Sequence, residues 1–190
     1  MKIKLLFRFL KRVRFEIAMV DKIRDAYHNH DYFESINLCN QVIEKIQRTY
    51  NGYFYKGLNL VELKLYEEAR HNLEIARKNL RKNKFQKILP EDFHDIAIGI
   101  GRTYLGQRMI TEAINEITLT INQFPKTVRG YLFKAKIFSD DDDYISAIDT
   151  INEGLKNNKK NKGLIDYKNY LTFYYIENRK DEKNKASKNN

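Results

Sequence analysis

The side chains with the most obvious chemical potential are few, and their spacing gives them no shared task. His28 and His30 flank Asn29 just before Asp31, and imidazole and carboxylate are metal-ligand types, but the rest of a recognisable ligand set is missing from the neighbourhood. Asp140 to Asp143 is a run of four carboxylates without the glycine and terminal glutamate of a calcium loop, so it reads as a solvated turn that caps a helix. The single cysteine, Cys39, falls on an apolar stripe and reads as an inert core thiol. No G-x-x-x-x-G-K-S/T, G-x-S-x-G or H-E-x-x-H string occurs, so no residue is assigned a catalytic or metal-binding role and no cofactor is expected.

The elements that carry these residues follow from composition. With 190 residues, 42% hydrophobic and 32% charged, the chain can bury one core of ordinary size. Two prolines and eight glycines leave little turn chemistry for many strands, and long stretches rich in Leu, Ile, Glu, Lys, Arg and Ala point to an all-α fold. One cysteine excludes an intrachain disulfide framework, which fits a reducing, cytoplasmic setting.

The net charge of +10 would suggest nucleic acid or an anionic membrane if it were spread over a folded face. The ends hold nearly all of it. Residues 1–15 carry Lys2, Lys4, Arg8, Lys11, Arg12 and Arg14 without an acid, giving +6, and residues 178–190 carry five bases and two acids, giving +3. That leaves +1 for residues 16–177, so a basic stripe on the body is not expected and any nucleic-acid affinity would reside in the termini.

One internal period organises the chain. Aligning the short residue near the start of every second helix selects Ser35, Ala69, Ala113 and Ala147, at steps of 34, 44 and 34 residues. Removing a ten-residue insertion, 84–93, leaves frames 16–49, 50–83, 94–127 and 128–161. Position 8 of these frames is Ile23, Gly57, Gly101 and Ala135, small in three of four, as a close helix approach requires. Position 11 is Ala26, Leu60, Tyr104 and Phe138, and position 24 is Cys39, Leu73, Ile117 and Ile151, which puts an apolar residue on the buried stripe of each helix. Caps fit the same frames: Asp31 with Glu34 for the second helix, Asp142 or Asp143 before Tyr144, and Pro90 with Glu91 and Asp92 opening the fifth helix. The insertion is expected to lengthen the fourth helix through Lys82–Lys87 and add a short bend before Pro90, with Arg77, Lys78, Arg81, Lys82, Lys84 and Lys87 on a solvated face.

With small residues at positions 8 and 20 and large ones at 11 and 24, the pattern resembles the tetratricopeptide repeat. It departs from that family at position 4, where tryptophan is absent (Met19, Tyr53, Ala97, Tyr131), and at position 27 (Val42, Ala76, Thr120, Gly154). The resemblance implies a right-handed α-solenoid of four helix pairs with a capping helix over 162–178, serving as a protein-binding adaptor or assembly chaperone instead of an enzyme. It also implies a concave groove built from positions 2, 5, 9, 12 and 13 of each first helix. Carried over, those positions give Val20, Arg24 and Tyr27; Asn51, Phe54, Leu58, Val61 and Glu62; Asp95, Ile98, Arg102 and Leu105; and Arg129, Leu132 and Lys136. An apolar ladder at position 5 beside a cationic one at position 9 (Arg24, Arg102, Lys136) suits a peptide with hydrophobic anchors and carboxylates. The basic and asparagine clamp of the family's chaperone-tail binders is not reproduced, with Val20 where a lysine is needed and Arg24 and Tyr55 at the asparagine positions.

The ends read differently. In residues 1–15, Ile3, Leu6, Phe7, Leu10 and Val13 share one helical side, with Lys4, Arg8, Lys11 and Arg12 on another. That side either caps the first repeat or lies on an anionic membrane surface, for which Lys2, Lys4, Leu6, Phe7, Arg8, Leu10, Lys11 and Arg12 are the candidates. The segment is too short and charged to span a bilayer and carries no cleavage site of a signal peptide. In the closing helix, Leu164, Tyr167, Leu171 and Tyr174 share a face, leaving Tyr170, Phe173 and Tyr175 to border the cap or to serve self-association or a partner. Residues 179–190 are polar and Lys/Asn-rich and are expected to be a disordered basic tail.

Overall fold

The computed structural model describes residues 2–82 and 89–188, with side chains for Phe7 and Leu10 and over 11–81 and 89–180. Nine α-helices and no strand make up the regular structure of the described residues: α1 (Lys2–His28), α2 (Tyr32–Lys45), α3 (Tyr50–Glu62), α4 (Tyr66–Lys82), α5 (Pro90–Gly106), α6 (Ile110–Gln123), α7 (Val128–Asp140), α8 (Tyr144–Asn157) and α9 (Lys162–Lys188). The chain divides into two compact units, Met1–Met109 with α1 to α5 and Ile110–Asn190 with α6 to α9. The division falls between the two helices of the third frame.

Helix boundaries recur with the 34-residue frames. The first helices end at His28, Glu62, Gly106 and Asp140, which is position 13 each time, and the second helices start at Tyr32, Tyr66, Ile110 and Tyr144, which is position 17. Between them position 15 is His30, Lys64, Arg108 or Asp142, each left-handed with φ of 60°, 61°, 61° and 58°. Its N–H reaches the carbonyl of position 12 at 3.0 to 3.2 Å, and the N–H of position 16 reaches that of position 11 at 2.9 to 3.0 Å. This is the Schellman ending that satisfies the last carbonyls of a helix, built here without glycine.

Side-chain caps open several helices. Asp31 accepts from Glu34 N–H at 3.2 Å, Asp143 from Ser146 N–H at 3.0 Å, and Thr49 from Gly52 N–H at 3.1 Å. Of the two aspartates that could start α8, Asp143 takes the cap while Asp142 occupies the left-handed turn. Pro90 begins α5, and Asp92 accepts from Leu89 N–H at 3.0 Å.

In unit 1, Leu60 and Val61 of α3 pack with Ala69, Leu73, Ala76 and Leu80 of α4 and Ile96 and Ile100 of α5, while Met19 and Ile23 of α1 pack with Cys39 and Val42 of α2. Glycine at position 57 is required: a Cβ there would stand 2.6 Å from Leu73 Cγ and 3.2 Å from the Ala69 carbonyl oxygen. Unit 2 buries Ala113, Ile117 and Ile121 of α6, Tyr131, Ala135 and Ile137 of α7, Ala147 and Ile151 of α8, and Leu164 and Leu171 of α9. Burial of these apolar side chains stabilises each unit by about 1.5 to 3 kcal/mol for each large one.

Two boundaries differ from the sequence expectation. Helix α9 continues past Asn178 to Lys188, so residues 179–188 are helical where a disordered tail is expected. That stretch contains no Gly or Pro, and Lys180 pairs with Glu177 at 2.7 Å, one helical turn back. Helix α1 runs unbroken through the 15/16 boundary between the basic segment and the first frame. The expected lengthening of α4 over 83–87 lies outside the described residues.

Candidate functional site

In unit 1 the groove positions come from α1, α3 and α5, and three of their polar members, Tyr27, Glu62 and Arg102, are joined to one another. Tyr27 of α1 donates to Glu62 Oε1 of α3 at 2.9 Å, and Arg102 of α5 donates to the same oxygen at 2.8 Å. Burial favours the neutral acid of Glu62, but the Arg102 and Tyr27 hydrogen bonds and the Arg102 charge outweigh it and hold its pKa below the ordinary value. Burial, then the bond to Glu62, pushes the Tyr27 phenol up.

The position-9 cations do not stand ready for a ligand's carboxylate. Arg24 pairs with Asp21 at 2.7 Å, Arg102 with Glu62 at 2.8 Å and Lys136 with Asp140 at 3.0 Å. Their charge is already met within the chain, so an acidic partner would have to displace an internal carboxylate at each.

The apolar ladder of unit 1 is partly core. Val61, expected on the groove floor, is buried in the α3–α4–α5 cluster, where burying its isopropyl group is favoured over presenting it to water. Phe54 and Leu58 are half-buried against that cluster, and Val20, Ile98 and Leu105 are half-buried too. Asn51 donates to Glu16 at 3.3 Å. Phe54 stands edge-on to Tyr55 at 5.3 Å and, with Tyr50, Asn51, Tyr55, Asp92 and Asp95, lines a cleft of about 120 Å³.

In unit 2 the site is larger and aromatic. Leu132, Lys136, Ser139 and Asp140 of α7, Tyr144 of α8 and Tyr167 and Tyr170 of α9 line a hollow of about 410 Å³. The Ser139 and Tyr167 hydroxyls are 3.0 Å apart and tie α7 to α9. Tyr167 stacks on Tyr170 at 5.9 Å, Tyr170 meets Tyr174 at 4.5 Å, and Phe173 meets Tyr174 edge-on at 5.5 Å. Tyr170, Phe173 and Tyr174 are exposed, whereas Tyr175 is half-buried with Arg179 above its ring. Arg129 is exposed near the start of α7.

Sequence reasoning placed Leu132 and Lys136 here and missed Ser139, Asp140, Tyr144 and the part Tyr167 and Tyr170 play beside them. The signal was present: Ser139 and Asp140 are positions 12 and 13 of the fourth frame, and Tyr170, Phe173 and Tyr174 are positions 9, 12 and 13 of a fifth counted from Lys162.

The other candidates have structural surroundings. His30 Nδ1 is 2.8 Å from the Tyr32 hydroxyl at the left-handed turn, and His28 stands edge-on to Tyr27. Cys39 is buried, and burial pushes its thiol up to about 12. Among the membrane-surface candidates, Phe7, Leu10, Lys11 and Arg12 are exposed, while the side chains of Lys2, Lys4, Leu6 and Arg8 lie outside the described residues. No helix of the described residues is long and apolar enough to cross a membrane.

No protein-family model matches the chain, and no curated protein matches it in sequence. Solved structures do match. A thermophilic TPR protein of Thermus thermophilus is 10% identical over 84% of this chain and 82% of its own, with a TM-score of 0.62. MamA from Desulfovibrio magneticus, from residue 41 to its end, is 13% identical over 76% of each chain, with a TM-score of 0.57. YrrB, described as a TPR protein with an unusual peptide-binding site, is 12% identical over 85% of this chain and 77% of its own, with a TM-score of 0.51. Helix pairs recurring at 34 residues and this likeness agree: the chain has the tetratricopeptide-repeat fold, an all-α solenoid of helix pairs.

Proposed function

We propose that the chain is a protein–protein interaction module, an adaptor or assembly chaperone, that holds a peptide or protein segment against its odd-numbered helices. The observation that carries this reading is the aromatic hollow of unit 2, with Phe173 59% and Tyr170 51% exposed beside a cavity of about 410 Å³. Exposing contiguous aromatic surface to water is costly unless something covers it, and tyrosine is enriched among the few residues that dominate binding energy. Leu132 and the tyrosine rings supply apolar contact, and the tyrosine hydroxyls supply hydrogen bonds to a bound backbone. Binding, and not bond-making, is what this arrangement offers.

The test is a random twelve-residue peptide display library selected on the full chain and on Tyr170→Ala/Phe173→Ala. Peptides recovered on the unaltered chain should carry apolar anchors and lose about tenfold or more in affinity on the double variant. Equal affinity would remove the site from unit 2. A concentration-dependent dimer abolished by the same substitutions would assign the face to a second copy.

A second reading concerns the N-terminal half of α1, where Phe7 is 62% and Leu10 43% exposed, with Lys11, Arg12 and Arg14 exposed alongside. A helix that only capped the first repeat would bury its apolar side, so this exposure favours contact with an anionic membrane surface. Vesicles containing 30% phosphatidylserine should pellet the full chain and leave Phe7→Ser/Leu10→Ser in solution; equal pelleting of both would end this reading.

A further inference from the structure

The unit 2 hollow discriminates between backbone conformations. Among its described lining residues the one cation, Lys136, is paired with the one carboxylate, Asp140, at 3.0 Å, so the hollow offers no net charge to a charged anchor. What it offers is aromatic faces and hydrogen-bond donors. Tyr167, Tyr170 and Tyr174 succeed one another along α9, with ring centroids 5.9 and 4.5 Å apart.

The donors can be counted. Ser139 donates to the Lys136 carbonyl at 3.0 Å, so in its 3.0 Å contact with Tyr167 the phenol is the donor, and Tyr144 donates to Asp142 at 3.1 Å. Those bonds use the protons of both phenols and hold their rings in place. Two donors are left over. Lys136 Nζ has three N–H groups and meets the two Asp140 oxygens at 3.0 and 3.1 Å, so at least one N–H is spare. The Tyr170 and Tyr174 hydroxyls are bonded to each other, which uses one of their two protons.

A bound α-helix has its carbonyls engaged internally, so its apolar side would cover the spare donors and the Lys136–Asp140 pair without replacing their water. A polyproline II segment keeps every carbonyl free to accept. Spacing separates it from a β-strand. Tyr167 and Tyr174 are seven residues apart on α9, about 10.5 Å along the helix axis. Residues on one side of a polyproline II helix recur every third position, about 9.3 Å apart, whereas those on one side of a strand recur at about 6.8 and 13.6 Å. A shallow, open site also gains from a segment that is already stiff, because less ordering entropy is lost on binding. We propose that the unit 2 hollow and the tyrosines that continue it along α9 hold a proline-rich segment in the polyproline II conformation, its pyrrolidine rings on the tyrosine faces and its carbonyls on Lys136 and the Tyr170–Tyr174 hydroxyls. This inference rests on the reading that unit 2 holds a segment of a partner, and it names the class of that segment.

The test titrates three fluorescein-labelled twelve-residue peptides against the full chain by anisotropy. They repeat Pro-Pro-Leu, Ala-Ala-Leu or Gly-Gly-Leu, so the leucine anchors match while the backbone favours polyproline II, helix or no fixed form. The proline peptide should bind about fivefold or more tightly than either of the others. Tyr170→Ala/Tyr174→Ala should bring the preference below that ratio, with the thermal transition of the variant checking its fold. Phe33→Ala, which removes an exposed ring of unit 1, should leave the preference unchanged. A smaller preference in the unaltered chain, its survival in a folded Tyr170→Ala/Tyr174→Ala chain, or its loss in Phe33→Ala would overturn the inference. If none of the three peptides binds while display-selected peptides do, the inference falls and segment binding stands; if those fail as well, both fall together.

Discussion

Position 9 of the third frame is Arg102, and position 9 of the fourth is Lys136; the two show what changes between the units and what does not. Arg102 reaches from α5 to Glu62 of α3, and Glu62 also holds Tyr27 of α1, so three successive first helices of unit 1 are laced together by one carboxylate. Lys136 pairs with Asp140 of its own helix, a solvated pair with 64% and 60% side-chain exposure, and both line the unit 2 hollow beside Leu132, Ser139 and three tyrosines. The repeat thus fixes where a side chain stands, while its partner decides whether that place is scaffold or ligand surface. Unit 1 uses polar groove residues for its own cohesion, whereas unit 2 keeps a broad aromatic face.

The comparison can be broken first at the core, where the units should behave alike. Position 24 is Leu73 in unit 1 and Ile151 in unit 2, both with no exposed surface. Leu73→Ala and Ile151→Ala should each cost about 2 to 5 kcal/mol, the transfer of the lost methyl groups plus the cavity left behind. Urea unfolding followed by helical circular dichroism measures both. A cost under about 1 kcal/mol at either would show that the shared position is not a core position in that unit.

At the groove the units should differ. Glu62→Gln removes the charge that Arg102 and Tyr27 share and should cost about 1 kcal/mol, kept small because the Arg102 side chain is 36% exposed and screened by water. Lys136→Ala should change stability by no more than about 0.5 kcal/mol. The sign with pH follows from the lowered Glu62 pKa: the folded state binds fewer protons than the unfolded chain, so this contribution is complete above the ordinary glutamate value of about 4.3 and is lost as pH falls through the lowered one. The stability gap between the unaltered chain and Glu62→Gln should therefore narrow from pH 6 to pH 3. A gap that stays constant would mean that Glu62 is not held ionised by its partners.

What the sequence made legible was the period. Ser35, Ala69, Ala113 and Ala147 are all fully buried, and Asp31, Asp143 and Pro90 open helices as their types require. A period assigns an angle around a helix and says little about depth, which is why Val61 read as groove floor although it is core. It is also blind to pairing: Arg102 and Glu62 are 40 residues apart, and only the approach of α5 to α3 shows that one neutralises the other. The aromatic hollow was missed because α9 was read as a cap, when counting on from Lys162 puts Tyr170, Phe173 and Tyr174 at groove positions. Composition misled at 179–188, where polar residues suggested disorder although the Arg, Lys, Glu and Ala that make up most of the stretch are good helix formers.

The left-handed turn at position 15 was hidden for a different reason: His30, Lys64, Arg108 and Asp142 share no side-chain type, and glycine, the usual marker, occupies none of the four. Both units hold the turn by the same two backbone hydrogen bonds, so its geometry comes from the main chain, and the side chain bears a steric cost of about 1 to 2 kcal/mol where Cβ meets the neighbouring carbonyl. Lys64→Gly and Arg108→Gly should relieve that cost, offset in part by the extra freedom of glycine in the unfolded chain, for a net gain of about 0.5 to 1 kcal/mol. Thermal unfolding should then move up by about 1 to 4 °C. The gain should be smaller at Asp142 of unit 2, whose carboxylate accepts from the Tyr144 hydroxyl at 3.1 Å, and at His30, whose ring is bonded to Tyr32. A lower transition for both Lys64→Gly and Arg108→Gly would show that contacts of those side chains outweigh the left-handed strain, and that the turn recurs because of what stands at position 15 and not because of the backbone around it.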